Sequence, residues 1–173
     1  MKENYSIMCE DILNNLNGKK KLLLHSCCGP CSSYVINYLT NYFDITILYY
    51  NPNIYPYDEY LKRKEEQIKL IKEIDKGNNV DILDCDYDNE NYEELIKGLE
   101  KEPERGKRCY VCYRMRMEKT ASTAKDNGYD YFCTTLSVSP YKNALWINEI
   151  GRELEDKYKV KWLYSDFKKK DGY

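Results

Sequence analysis

A chain of 173 residues, 42% of them hydrophobic, suits a single domain with its own core. A formal net charge of -2 excludes a globally basic nucleic-acid binder, and no apolar run approaches membrane-spanning length. The 19 Tyr, against 3 Phe and 2 Trp, fit either a surface on which bases stack or a compositional bias shared with Lys, Asn and Ile, and composition does not choose between them.

Residues Tyr5 to Leu16 place Ile7, Met8, Ile12, Leu13 and Leu16 at helical spacing, with Gly18 as a stop. Lys21 to Ser26 is a first strand, and Ser32 to Tyr42 a helix turning Val35, Ile36 and Leu39 inward. Phe43 to Tyr50, rich in β-branched and aromatic residues, is a second strand that ends in a loop fixed by Pro52 and Pro56. A long helix over Tyr57 to Asp75 follows, with Leu61, Ile68, Leu70, Ile71 and Ile74 as its apolar set and Gly77 beyond it. Val80 to Cys85 is a third strand, followed by an acidic turn and a short helix over Tyr92 to Leu99. Cys109 to Asn127 is a helix closed by Gly128. Tyr129 to Val138 is a fourth strand, Lys142 to Tyr158 a further helix and Val160 to Tyr164 a fifth strand. Strand and helix alternate throughout, so one α/β domain with a parallel sheet covered on both faces is expected.

The chemistry concentrates in eight cysteines. No signal peptide is visible, and in a cytoplasmic setting clustered cysteines mark metal or redox chemistry more often than structural disulfides. Cys27, Cys28 and Cys31 stand where an apolar strand runs into a helix, the place where open α/β sheets bind ligands. The positive end of that helix favours anions and thiolates. Cys109 and Cys112 repeat the three-residue spacing far along the chain. Together the two groups supply four thiolates with one cysteine to spare, which suits zinc or an iron–sulfur cluster.

Two other readings compete. Cys28-Gly29-Pro30-Cys31 has the sequence of a thioredoxin active site, although Cys27 stands where thioredoxins carry Trp. A closed zinc staple in an RNA-binding module is the second. Cys9, Cys85 and Cys133 fall in apparent helix or strand cores and read as buried apolar residues. His25, the only histidine, either orients a substrate or carries a proton, or else is a hydrogen-bonded core residue. Ser137, Ser139 and Lys142 follow the fourth strand, where a phosphate could rest at a helix start. Arg105, Lys107, Arg108, Arg114, Arg116 and Lys119 crowd around the second cysteine pair, forming either a surface for a phosphate backbone or a solvated helix face.

Several stretches taken in order, Leu24-His25-Ser26-Cys27-Cys28-Gly29-Pro30-Cys31-Ser32, Tyr50-Asn51-Pro52-Asn53-Ile54-Tyr55-Pro56, Glu59-Tyr60 with Arg63, Arg108 to Arg116 and Thr134 to Lys142, resemble the cobalamin-independent epoxyqueuosine reductases of the QueH type. The resemblance runs through nearly the whole chain. It implies a three-layer α/β sandwich with a mostly parallel, adenine-nucleotide-hydrolase-like sheet. It also implies removal of the epoxide oxygen of epoxyqueuosine at the wobble position of a tRNA with a GUN anticodon, using an external electron donor. Carried over by position, Cys27, Cys28, Cys109 and Cys112 match ligands of a [4Fe–4S] cluster, and Cys31 matches a position that serves a second, mononuclear metal, expected to be iron. Cys31 and His25 are then the expected catalytic residues. Arg108, Arg114, Arg116, Asn51 and Lys142 are expected to hold the anticodon stem-loop, with Tyr49, Tyr50 and Tyr55 stacking on extruded bases. The family pattern continues past Lys168 to Tyr173 into a further helix and a Cys-Gly-Cys ending, so the chain is expected to lack that segment. A tRNA-thiolating enzyme of similar fold would need a Gly-rich pyrophosphate loop, which Cys28 to Ser33 does not provide.

Overall fold

The computed structural model describes residues 3–27, 29–74, 80–103, 105–139 and 142–170. Strand β1 (Lys20–His25) sits at the centre of a five-stranded parallel sheet, between β2 (Phe43–Leu48) and β4 (Tyr131–Thr134). The short strands β3 (Asp81–Leu83) and β5 (Lys161–Trp162) form the edges, giving the order β3-β2-β1-β4-β5. Covered on both faces, a central parallel strand needs an unbroken apolar run, and Leu22, Leu23 and Leu24 are all fully buried.

Six α-helices accompany the sheet in the described residues: α1 (Tyr5–Asn14), α2 (Gly29–Leu39), α3 (Tyr57–Ile74), α4 (Asn89–Leu95), α5 (Lys107–Asp126) and α6 (Ala144–Tyr158). Right-handed crossovers place α2 and α3 on one face and α5 and α6 on the other, and each pair packs together. The result is a three-layer α/β sandwich, as the alternation of elements implied. Its strand order reverses between β1 and β4, which opens a crevice at their carboxyl ends.

Most differences from the sequence reading lie at element ends. Helix α2 begins at Gly29 rather than Ser32, because Pro30 in the first turn gives up no intrahelical bond. Cys31 is thereby in its first turn. The fourth strand stops at Thr134, four residues early, and Leu136–Val138 forms a 3-10 turn. Thr134 Oγ1 accepts the Leu136 amide there, so a threonine hydroxyl replaces the strand ladder. Helix α4 starts at Asn89 and ends at Leu95, ahead of the expected Tyr92 to Leu99. Gly77 and Asp75, expected at the end of α3, lie outside the described residues.

Two buried fastenings hold the sheet edge beside the crevice. Asn148 on α6 donates to Ala144 O and Ser165 O, and accepts from Trp162 Nε1 and the Ser165 amide, each at 2.8–3.0 Å. The Ser137 hydroxyl accepts the Phe167 amide at 3.2 Å, and Lys168 Nζ donates to Ser137 O and Lys142 O. Ser137 is therefore buried and engaged, which removes it as a phosphate contact.

Cys9 and Cys133 are buried as expected, whereas Cys85 is only half-buried. Burial pushes the Cys133 thiol from 9.0 up to about 12. The folded state then keeps its proton while the unfolded chain loses it, so stability is complete below about pH 9 and falls above it. The slope from this group is about 1.4 kcal/mol per pH unit. In urea titrations between about pH 9 and pH 11, the Cys133→Ala variant should lose stability less steeply than the parent. Parallel slopes would show that the thiol titrates normally in the fold.

Candidate functional site at the carboxyl ends of β1 and β4

Cys27 follows β1 at the switch point. Its amide donates to Thr135 Oγ1 at 3.2 Å, and its sulfur lies 3.3 Å from the same hydroxyl. The cysteine is thus fixed by the strand across the crevice. Just behind it, His25 is fully buried, with Nδ1 2.8 Å from Thr134 Oγ1 and Nε2 2.9 Å from Tyr50 O. A carbonyl only accepts, so Nε2 carries the proton and the Thr134 hydroxyl donates to Nδ1. Burial first, and the Arg116 charge second, pull the His25 pKa down to about 4. With both ring nitrogens engaged, His25 ties the end of β1 to β4 and to the carbonyl of Tyr50.

The second cysteine pair stands in the first two turns of α5, with Cys112 buried and Cys109 half-buried. Arg116, one turn beyond Cys112, joins the two motifs. The residue is 4% exposed, and its guanidinium donates to Asn51 Oδ1 through Nη2 at 2.7 Å and Nε at 3.2 Å, and to Cys112 Sγ through Nη1 at 3.6 Å. Asn51, also fully buried, donates to Ser26 O at 2.9 Å. A continuous polar chain therefore runs from the end of β1, through the β2 loop, to the sulfur of Cys112.

Burial opposes the Arg116 charge, but Cys112 and then Cys27 favour it more, and its pKa is raised on balance. Among the described residues no carboxylate forms an ion pair with it. A buried cation needs partners for its donors, and Cys112 Sγ and Asn51 Oδ1 accept from it.

This placement corrects several expectations. Arg116 belongs to no exposed basic patch; it is internal because it shares a helix stripe with Tyr113, Met117 and Thr120. Asn51 is a buried bridge, and Tyr49 and Tyr50 are each 2% exposed, so none of these three presents itself to an extruded base. Tyr50 instead donates its hydroxyl to Asp88. Tyr55, at 72% exposed, keeps an open ring. Arg114 pairs with Glu153, Arg108 donates to Glu100 O, and Lys142 lies over the Tyr113 ring, so much of the positive charge is engaged internally.

Two cavities flank the cysteines. One, of about 370 Å³, is lined by Cys109, Cys112, Arg108, Arg116 and Lys142. The other, of about 320 Å³, is lined by Cys27, Gly29, Tyr49, Glu66 and Gln67. Cys31, on α2, borders neither. Gln67 was missed in the sequence, although it lies four residues before the buried Ile71 and seven after the buried Tyr60, on the helix's inner stripe. Its Nε2 donates to Ser26 Oγ and Ser32 Oγ, tying α3 to the turn that carries the cysteines.

Among the described residues no three His, Cys, Asp or Glu side chains converge as a metal site, and Cys28 lies outside them. The donor chemistry nonetheless fits a thiolate-bound anionic group. Among the described residues, the buried Arg116 guanidinium bonds to Cys112 Sγ and to the Asn51 amide oxygen, and Cys27 acts on its charge.

Fold and site together define a parallel α/β domain with a cysteine-rich centre at its strand-order switch point. The comparisons make this more specific. Residues 22–173 match the family model for "Epoxyqueuosine reductase QueH". The chain is 43% identical over 157 residues to the Epoxyqueuosine reductase QueH of Streptococcus pyogenes serotype M1, covering 90% of this chain and 62% of that protein. It is 44% identical over 159 residues to the one from Staphylococcus epidermidis, covering 90% and 67%, and 39% identical over 182 residues to the one from Staphylococcus aureus, covering 99% and 76%. The chain belongs to the epoxyqueuosine reductase QueH family. It spans between about three fifths and three quarters of the length of these relatives.

Proposed function

We propose that this chain reduces epoxyqueuosine to queuosine in tRNA, the epoxide oxygen leaving as water as two electrons and two protons are taken up and a carbon–carbon double bond forms. The observation that carries this reading is the buried Arg116, bonded to Cys112 and influenced electrostatically by Cys27, in a chain that belongs to the QueH family. Cys27, Cys28, Cys109 and Cys112 would hold a [4Fe–4S] cluster, and Cys31 would serve a neighbouring mononuclear iron. When bound, such groups supply single electrons and a Lewis acid for the epoxide oxygen.

The chain's own residues set the environment. Arg116 offsets thiolate charge in a desolvated place, and Asn51 fixes that guanidinium against the backbone of Ser26. His25 and Thr135 hold the end of β1 in register with β4, so Cys27 has one position. Lys107, exposed at the start of α5, and Arg108 beside it, which also donates to Glu100 O, would contact the backbone of a tRNA with a GUN anticodon.

The test is an anaerobic reaction of the purified protein with tRNA carrying epoxyqueuosine and a chemical reductant, followed by nucleoside mass spectrometry. The expected product has lost one oxygen atom. Unchanged epoxyqueuosine, from protein with a full complement of iron and sulfide, would contradict the reading.

A further inference from the structure

Thr134 and Thr135 follow one another at the end of β4, and their hydroxyls turn to different partners. Thr134 donates to His25 Nδ1 and accepts the Leu136 amide. Thr135 is fully buried, and among the described residues its hydroxyl has hydrogen-bond partners only in Cys27. It accepts the Cys27 amide at 3.2 Å and lies 3.3 Å from the Cys27 sulfur. Its backbone is pinned as well, the amide donating to His25 O at 3.0 Å and the carbonyl accepting the Val138 amide at 3.1 Å.

The Cys27 amide occupies one lone pair of that hydroxyl, and the hydroxyl proton needs an acceptor of its own. A thiol has a proton to give to the oxygen, but a thiolate has none. Once Cys27 is a thiolate, the buried hydroxyl is the donor and the sulfur the acceptor. Arg116 makes the same kind of contact in the other cysteine motif, donating to Cys112 Sγ at 3.6 Å. Each motif therefore has a buried donor on one of its sulfurs.

We propose that Thr135 is a positioning residue for the electron chemistry, its hydroxyl donating to the Cys27 thiolate and making the group that Cys27 ligates easier to reduce. This rests on the reading of Cys27 as a cluster ligand and adds a residue that tunes what is bound there. A donor on a ligating sulfur favours the more negative state, which is the reduced one. Loss of the hydroxyl therefore lowers the reduction potential.

The test titrates the cluster-loaded parent, Thr135→Val and Thr135→Ser anaerobically with dithionite, read by the visible spectrum. At the parent's midpoint, Thr135→Val should show a ratio of reduced to oxidised cluster about fivefold lower, the equivalent of one net hydrogen bond. Thr135→Ser keeps the hydroxyl and should restore the parent ratio. Valine also takes the acceptor from the Cys27 amide, so Thr135→Ala, with room for a water there, serves if valine prevents loading. Pulsed electron–nuclear double resonance of the reduced cluster, compared in H2O and D2O, adds a readout on the parent itself. An exchangeable proton coupled to the cluster is expected in the parent and in Thr135→Ser, and its coupling should be lost in Thr135→Val. A loaded Thr135→Val or Thr135→Ala with the parent's potential, or a parent cluster coupled to no exchangeable proton, overturns the assignment and leaves the reductase reading standing. A parent that assembles no cluster on anaerobic reconstitution overturns that reading, and the assignment falls with it.

Discussion

Replacing Arg116 with Met should destabilise the protein by about 3 kcal/mol or more, and strip it of whatever its cysteines bind. The guanidinium is the sole link between Asn51 and Cys112 among the described residues, and its loss leaves the Asn51 oxygen buried and unpaired. It also removes the donor to Cys112 Sγ. Arg116→Lys keeps the charge but cannot reach both partners with a planar fork, so an intermediate loss is expected. Urea denaturation under anaerobic, reducing conditions measures both. A parent-like midpoint for Arg116→Met would show that the buried cation is dispensable.

Asn148→Leu should cost a comparable amount, about 3 kcal/mol, at a position far from any cysteine in sequence. Leucine fits the volume but leaves Trp162 Nε1, the Ser165 amide and Ser165 O without their partner. The damage should spread to the crevice, because the residues after β5 hold Ser137 and the Lys142 carbonyl in the loop that follows β4. Amide hydrogen exchange should therefore show lost protection at 136–139 as well as at 162–167. Loss confined to α6 would mean that the two fastenings act separately.

The sheet could be read from the sequence because a buried parallel strand announces itself as a run such as Leu22-Leu23-Leu24, and because turn residues separate the elements. The cysteines could be read because their spacing coincides with element ends. The wiring between them could not. Arg116 looked like one of a surface cluster, since charge is what a sequence displays; its burial follows from the stripe of Tyr113, Met117 and Thr120, which outweighs it. Gln67 sits among the apolar positions of α3 and was passed over for the same reason. Asn51 and Thr135 act through hydrogen bonds to residues 65 and 108 positions away, and no local pattern encodes such contacts. The strand β4 was overrun because Thr134 and Val138 favour strands, while a threonine hydroxyl turned the chain instead.

The most direct measurement is iron, acid-labile sulfide and zinc per chain in anaerobically purified protein, read beside the visible spectrum. Four or more irons with matching sulfide, on the order expected for a [4Fe–4S] protein with a further iron, is the predicted result. One zinc without sulfide that persists through cluster reconstitution would contradict it, and would make the cysteines a structural staple.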